Sequence, residues 1–206
     1  MRNQIIEFYN DPDFQRLNSY YNRTTIFNIL NIERRELSHS AFLKWLFDIN
    51  GSHNFGEEPL KKLLRMLVNT DNDNILSEDI LNILLIGDYE IQNFHIETEK
   101  VVESDKNKGR IDIFAKFNIF KENSEKDFKK DIIVIIENKV DSKHHDDQTT
   151  TYKEWAEKKY NESVIIPIYL TPYPENEKNE IANYFIITYQ DILEHVIEPL
   201  LNMEMD

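Results

Sequence analysis

Glu137 and Lys139 stand two residues apart where an unbroken apolar run, Ile132-Ile133-Val134-Ile135-Ile136, gives way to polar residues. A β-branched run of this length reads as a strand buried on both faces, at the centre of a sheet covered by helices. Residues i and i+2 of a strand point the same way, so the acid and the amine project together from its C-terminal end. Buried there, both groups cost desolvation energy unless they bind something; solvated there, they are an ordinary ion pair. The same acid-x-lysine spacing recurs at Asp127-Lys129, Asp141-Lys143 and Glu157-Lys159, in polar or helical surroundings. Only Glu137-Lys139 ends a buried strand.

Upstream, Gly109-Arg110-Ile111-Asp112-Ile113-Phe114-Ala115-Lys116-Phe117 inserts one acid, Asp112, into an otherwise apolar strand, with Gly109 marking the turn before it. Downstream, a helix is expected from Asp146, with Gln148 and Tyr152 at i and i+4 on one face. Glu36 opens another expected helix, Glu36 to Asp48, whose apolar stripe reads as Ala41, Phe42, Trp45 and Leu46. Glu36 is either a functional carboxylate or a first-turn glutamate favoured by the helix dipole.

Taken together, Glu36-Leu37-Ser38-His39-Ser40, Gly109-Arg110-Ile111-Asp112, Ile136-Glu137-Asn138-Lys139 and Gln148-Thr149-Thr150-Thr151-Tyr152 resemble the PD-(D/E)XK nuclease superfamily. Within it the chain is most similar to a bacterial family with a Glu-x-x-x-Ser helix, a Gly-Arg-Ile-Asp strand, an Ile-Glu-Asn-Lys strand and a Gln-x-x-x-Tyr helix. The likeness covers about residues 25 to 200. Ile111 stands where many members carry the proline before the aspartate.

The resemblance implies a restriction-endonuclease-like α/β core, a central mixed sheet flanked by helices, with an N-terminal helical extension. It implies hydrolysis of phosphodiester bonds, with nucleic acid as partner and DNA as the expected substrate. The cofactor would be Mg²⁺ or Mn²⁺, hard cations that take oxygen ligands. Asp112, Glu137 and the Asn138 main-chain carbonyl would supply these, with Glu36 or Glu99 for a second ion or a water. By resemblance Lys139 orients or deprotonates the attacking water, Gln148 hydrogen-bonds the phosphate or Lys139, and Tyr152 packs. Two alternatives stay open: a catalytically silent nuclease-fold module for protein or nucleic-acid binding, and metal-dependent hydrolysis of another substrate.

The charge balance opposes a generic nucleic-acid binder, because the chain carries a net −14 over 206 residues and phosphate contacts need cations. A carboxylate site neutralised by a divalent ion meets this in part. Local basic patches would have to do the rest: Lys100, Lys106, Lys108 and Arg110 around one turn, or Lys61, Lys62 and Arg65 on one helix. The absence of cysteine excludes disulfides, thiolate metal sites and a cysteine nucleophile. No apolar leader or run long enough to span a bilayer is present, so a soluble, cytoplasmic protein without membrane partners is expected.

One domain, 1–206, is expected, with residues 1–88 mainly helical and 89–206 forming the α/β core. Thr24 to Ile32 reads as helical, and a helix from Gly56-Glu57-Glu58-Pro59 should end before a polar loop, Asn69 to Asn74. Ser77 and Gly87 bracket a further short helix. Glu90 to Glu103 alternates, with Ile91, Asn93, His95, Glu97 and Glu99 on one face and Phe94 and Ile96 on the other. Residues 118 to 130 read as a charged loop or lid. His144 and His145 read as surface residues. Strands at Val164 to Leu170 and Tyr184 to Thr188 precede a helix ending near Met203, opened by a capping box in Thr188-Tyr189-Gln190-Asp191. The helix between Val140 and Val164 should make its flanking strands parallel.

Overall fold

The computed structural model describes residues 10–21, 35–70, 75–103, 108–122, 127–140, 146–174 and 183–203, with the single positions 8, 29 and 181. The chain divides into two compact units, Met1–Arg35 and Glu36–Asp206. The first contains helix α1 (Pro12–Tyr21), opened by Asp11, whose carboxylate accepts the Asp13 and Phe14 amide N–H groups at 2.9 Å. The expected helix at Thr24 to Ile32 lies outside the described residues, apart from Ile29.

The second unit runs α2 (Glu36–Phe47), α3 (Glu58–Thr70), α4 (Glu78–Ile86), β1 (Glu90–Glu103), β2 (Lys108–Lys121), β3 (Phe128–Asn138), α5 (Asp146–Lys159), β4 (Val164–Leu170), β5 (Phe185–Ile187), α6 (Tyr189–Ile192) and α7 (Glu198–Met203). A five-residue π-helical segment, Leu193–Ile197, joins α6 to α7. The five strands form one mixed sheet in the order β1-β2-β3-β4-β5. The first three are antiparallel neighbours, while β3, β4 and β5 run parallel. The parallel β3–β4 pair linked through α5 is the expected crossover.

Strand β3 is buried on both faces, as its composition requires. Ile132, Val134 and Ile136 pack with α2, α3, α4 and the C-terminal helices, whereas Ile133 and Ile135 pack with Tyr152 and Ala156 of α5. Burying these five side chains contributes on the order of 10 kcal/mol of transfer free energy. That gain anchors the strand whose end must then hold charge away from water.

Several expectations give way to the structure. Residues 118–130 are not all loop: β2 continues to Lys121 and β3 starts at Phe128, pairing Asn118 with Asp131 and Lys121 with Phe128. Charged side chains on the solvated face hid the continuing ladder. Ile91 packs into the same core as Phe94 and Ile96, because the β1–β2 register shifts between Gln92 and His95 and Asn93 adopts a left-handed φ of 53°. A bulge of this kind adds one residue and inverts the alternation beyond it. Helix α3 includes Asn69 and Thr70, and residues 71–74 lie outside the description.

The buried face of α2 is Ser40, Leu43, Leu46 and Phe47, not the stripe through Ala41, Phe42 and Trp45. Phe42 and Trp45 are largely solvent-facing, and the Trp45 indole N–H donates to Ser52 Oγ at 3.0 Å. The reading went wrong at Ser40, whose hydroxyl is buried because it has a partner across the core. Among the described residues no helix is long and apolar enough to cross a membrane.

Candidate active site

The C-terminal end of β3 opens into a cleft of about 600 Å³ lined by residues of α2, β1, β2, β3 and α5. Four of its carboxylates come from separate elements: Glu36 from α2, Glu99 from β1, Asp112 from β2 and Glu137 from β3. Lys139, just past the strand, and Tyr152 of α5 complete the inner wall.

Strand parity decides what each of Glu137, Asn138 and Lys139 meets. Glu137 follows Ile133 and Ile135 toward α5, and Lys139 returns to the same side. Its ammonium lies 2.7 Å from Glu137 Oε1, with the Lys139 and Glu137 side chains only 12% and 3% exposed. The pair is therefore not a solvated strand end. Asn138 follows Ile136 toward α2, while its backbone N–H donates to Asp112 Oδ2 at 2.7 Å. The Lys139 N–H donates to the Leu170 carbonyl at 2.9 Å, so the strand terminus is pinned on both sides.

Burial raises the Glu137 carboxyl to a pKa of about 7, with the nearby Asp112 charge pushing the same way and Lys139 opposing. Burial likewise raises Asp112 to about 6, against the hydrogen bond from Asn138 and the charge of Lys139. Lys139 loses solvation too, yet the Glu137 charge and hydrogen bond, with Asp112 and Glu36, outweigh that and hold its pKa above the ordinary lysine value. Glu137 Oε2 is buried and has no hydrogen-bond partner among the described residues. Two carboxylates pressed together and a bare buried oxygen are what a hard cation relieves. Among the described residues no three His, Asp or Glu side chains already close into a cage. The donor set fits a hard divalent cation held by one or two carboxylates, with waters completing its shell.

A family model, the PD-(D/E)XK nuclease superfamily, matches residues 24–203. The chain belongs to the PD-(D/E)XK nuclease superfamily. No curated protein and no solved structure matches it significantly. Its five-stranded mixed sheet flanked by helices is the restriction-endonuclease-like fold of this superfamily.

Within this nuclease fold the remaining sequence candidates separate. Glu99, not Glu97, lines the cleft. It sits at a left-handed φ of 55°, a strained setting for a non-glycine residue, and pairs with Arg110 at 2.8 Å. Glu97 is occupied by Lys100 at 2.6 Å and His95 at 3.2 Å. The Glu36 carboxylate Oε1 accepts the Val140 N–H at 3.1 Å. Gln148 lies in the first turn of α5, but its side chain falls outside the described residues, as do Lys106, His144 and His145.

Tyr152 packs as expected and also accepts the Arg110 N–H on its hydroxyl at 3.2 Å. Gly109 lies inside β2 rather than in a turn. A Cβ there would sit 2.5 Å from Tyr152 Cε1, so glycine is what lets α5 close on the strand. Of two polar residues beside the cleft, Ser40 was legible in the sequence as the end of the Glu-x-x-x-Ser pattern, without a role, and Tyr189 was missed. The Glu36–Ser40 spacing carried a signal, because i and i+4 share a helical face. Tyr189 carried none.

Proposed function

We propose that this nuclease-fold chain is a metal-dependent nuclease hydrolysing phosphodiester bonds, with DNA as its expected substrate and Mg²⁺ or Mn²⁺ as its cofactor. The observation that carries the reading is the buried Asp112–Glu137–Lys139 cluster, whose carboxyls are pushed up and whose Glu137 Oε2 lacks a partner. Asp112 and Glu137 would hold the ion with the Asn138 carbonyl, and Glu36 or Glu99 would assist. Bound there, the cation polarises a phosphoryl oxygen and acidifies a water.

The chain's own residues account for the rest. The Asn138 N–H fixes Asp112, so the carboxylate is oriented before substrate arrives. Lys139 starts as an ammonium and offsets charge developing on the phosphoryl oxygens. Lys139 would accept a proton from the attacking water where the Glu137 and Asp112 charges that hold its pKa high are offset. Lys108 and Arg110 stand at the cleft mouth, where a phosphate backbone must pass. Gln148 is retained as a phosphate or Lys139 partner on the resemblance.

One observation favours the silent binding module. Lys61, Lys62, Lys100, Lys108 and Arg110 each lie within 4 Å of a carboxylate, so these members of the two candidate basic patches are already paired. The test that separates the readings is incubation of purified protein with linear, circular and single-stranded DNA and with RNA, in Mg²⁺, Mn²⁺ or EDTA. Cleavage that needs the cation and stops in EDTA supports the enzyme. Retention of nucleic acid or protein without cleavage under every condition favours the module.

A further inference from the structure

We propose that the Asn138 side chain is a positioning residue, clamped by Ser40 and Tyr189, that sets the Glu36 carboxylate against the Asp112–Glu137 pair. The proposal rests on the nuclease reading and extends it to three residues that line no part of the cleft.

Asn138 is fully buried, and its amide is used at both ends. Nδ2 donates to Ser40 Oγ at 3.0 Å and to the Glu36 carbonyl at 3.3 Å, and Oδ1 accepts the Tyr189 hydroxyl. The amide has only one workable orientation. Turned over, its oxygen would face the Glu36 carbonyl, two acceptors together, and Ser40 would lose its donor. The His39 ring meets the Tyr189 ring edge-on at 5.4 Å, which keeps the phenol aimed at the amide.

Three elements far apart in sequence therefore meet on one side chain: the start of α2, the end of β3 and the start of α6. The same residue's backbone N–H holds Asp112. Asn138 thus holds Asp112 with its main chain and the helices with its amide. Glu36 hangs from the carbonyl-bearing residue that the amide grips, and its Oε1 is tied to Val140 just beyond the strand. Glu36 lines the same cleft as Asp112 and Glu137, so a shift of α2 against β3 moves its carboxylate relative to theirs. Glu137 can do none of this gripping, because strand parity sends it to the opposite face.

The test removes one clamp at a time with Ser40→Ala and Tyr189→Phe, alone and in a Glu36→Gln background. Each single change is expected to lower kcat about tenfold, the scale of one lost hydrogen bond, with KM within about twofold. In the Glu36→Gln background neither change should lower kcat further, since the group being positioned is gone. A lowered melting temperature with unchanged kcat per folded molecule would overturn the proposal, leaving the network merely structural. So would a tenfold loss that persists undiminished alongside Glu36→Gln. If the wild type cleaves nothing, the nuclease reading fails, and Mn²⁺ titration decides the clamp by itself. Both single variants should then weaken Mn²⁺ binding by about tenfold, and neither should do so beside Glu36→Gln; unchanged Mn²⁺ affinity overturns it.

Discussion

Strand β3 carries the same acid-x-lysine spacing near both of its ends, and the two ends behave differently. Asp127 and Lys129, at its start, are exposed. The hollow beside them, lined by Lys129, Lys130 and Asp131 of β3 together with Val164 of β4, is the larger of the two at about 880 Å³. Glu137 and Lys139, at its end, are largely buried at the floor of a cleft. Size and residue type do not separate these places; desolvation does. A charge held among buried groups has its proton affinity reset, as at Glu137.

The widest gap between the two ends should be catalytic. Lys139→Ala is expected to lower cleavage by about 10²–10⁴, the range for losing a positioned acid–base group. Lys129→Ala should leave turnover near that of the wild type. Lys139→Arg should not restore activity, since a guanidinium keeps the charge but holds its proton and has another shape. Asp112→Asn should differ from both by losing Mn²⁺ affinity as well, read by calorimetry. Brisk cleavage by purified Lys139→Ala would sink the assignment.

Salt sharpens the comparison at the level of substrate binding. About four phosphate contacts imply a fall of about 10² in affinity between about 50 and 200 mM salt. Arg110→Gln or Lys108→Gln should each reduce the logarithmic slope by about 1, while Lys129→Gln should leave it unchanged. A flat dependence for the wild type would favour the binding module.

Stability against pH is the next test, and its sign follows from the raised carboxyls. Asp112 at about 6 and Glu137 at about 7 bind more protons in the folded than in the unfolded state between about pH 4 and 7. Metal-free protein should therefore lose stability as pH rises through that window. Denaturant melts of Glu137→Gln should show a flatter profile. A slope equal to that of the wild type would mean that the buried cluster is not what titrates.

The smallest effect is a proton count. A cation that binds Asp112 and Glu137 must displace whatever protons they hold. Mn²⁺ titrations in buffers of differing ionisation enthalpy should report about one proton released near pH 6 and close to none near pH 8. No release at pH 6 would place the ion elsewhere.

Sequence alone determined the order of elements and the strand that carries the chemistry. The five-residue β-branched run at 132–136 could only be a strand covered on both faces, and parity then put Glu137 and Lys139 together. Asp112 stood out as the acid in an apolar strand, and Thr188 with Asp191 spelled a capping box that the structure contains. These features are local: composition and periodicity within a few residues settle them. Tertiary structure put Glu99, already a candidate from the resemblance, in the cleft and left Glu97 to Lys100 and His95, with a left-handed φ at Glu99 breaking the alternation the two would share. It also turned α2 so that Ser40 is inside, brought Tyr189 to Asn138, and kept Lys139 charged. Each of these depends on a partner remote in sequence and on how far water is excluded, and neither quantity is written in local periodicity.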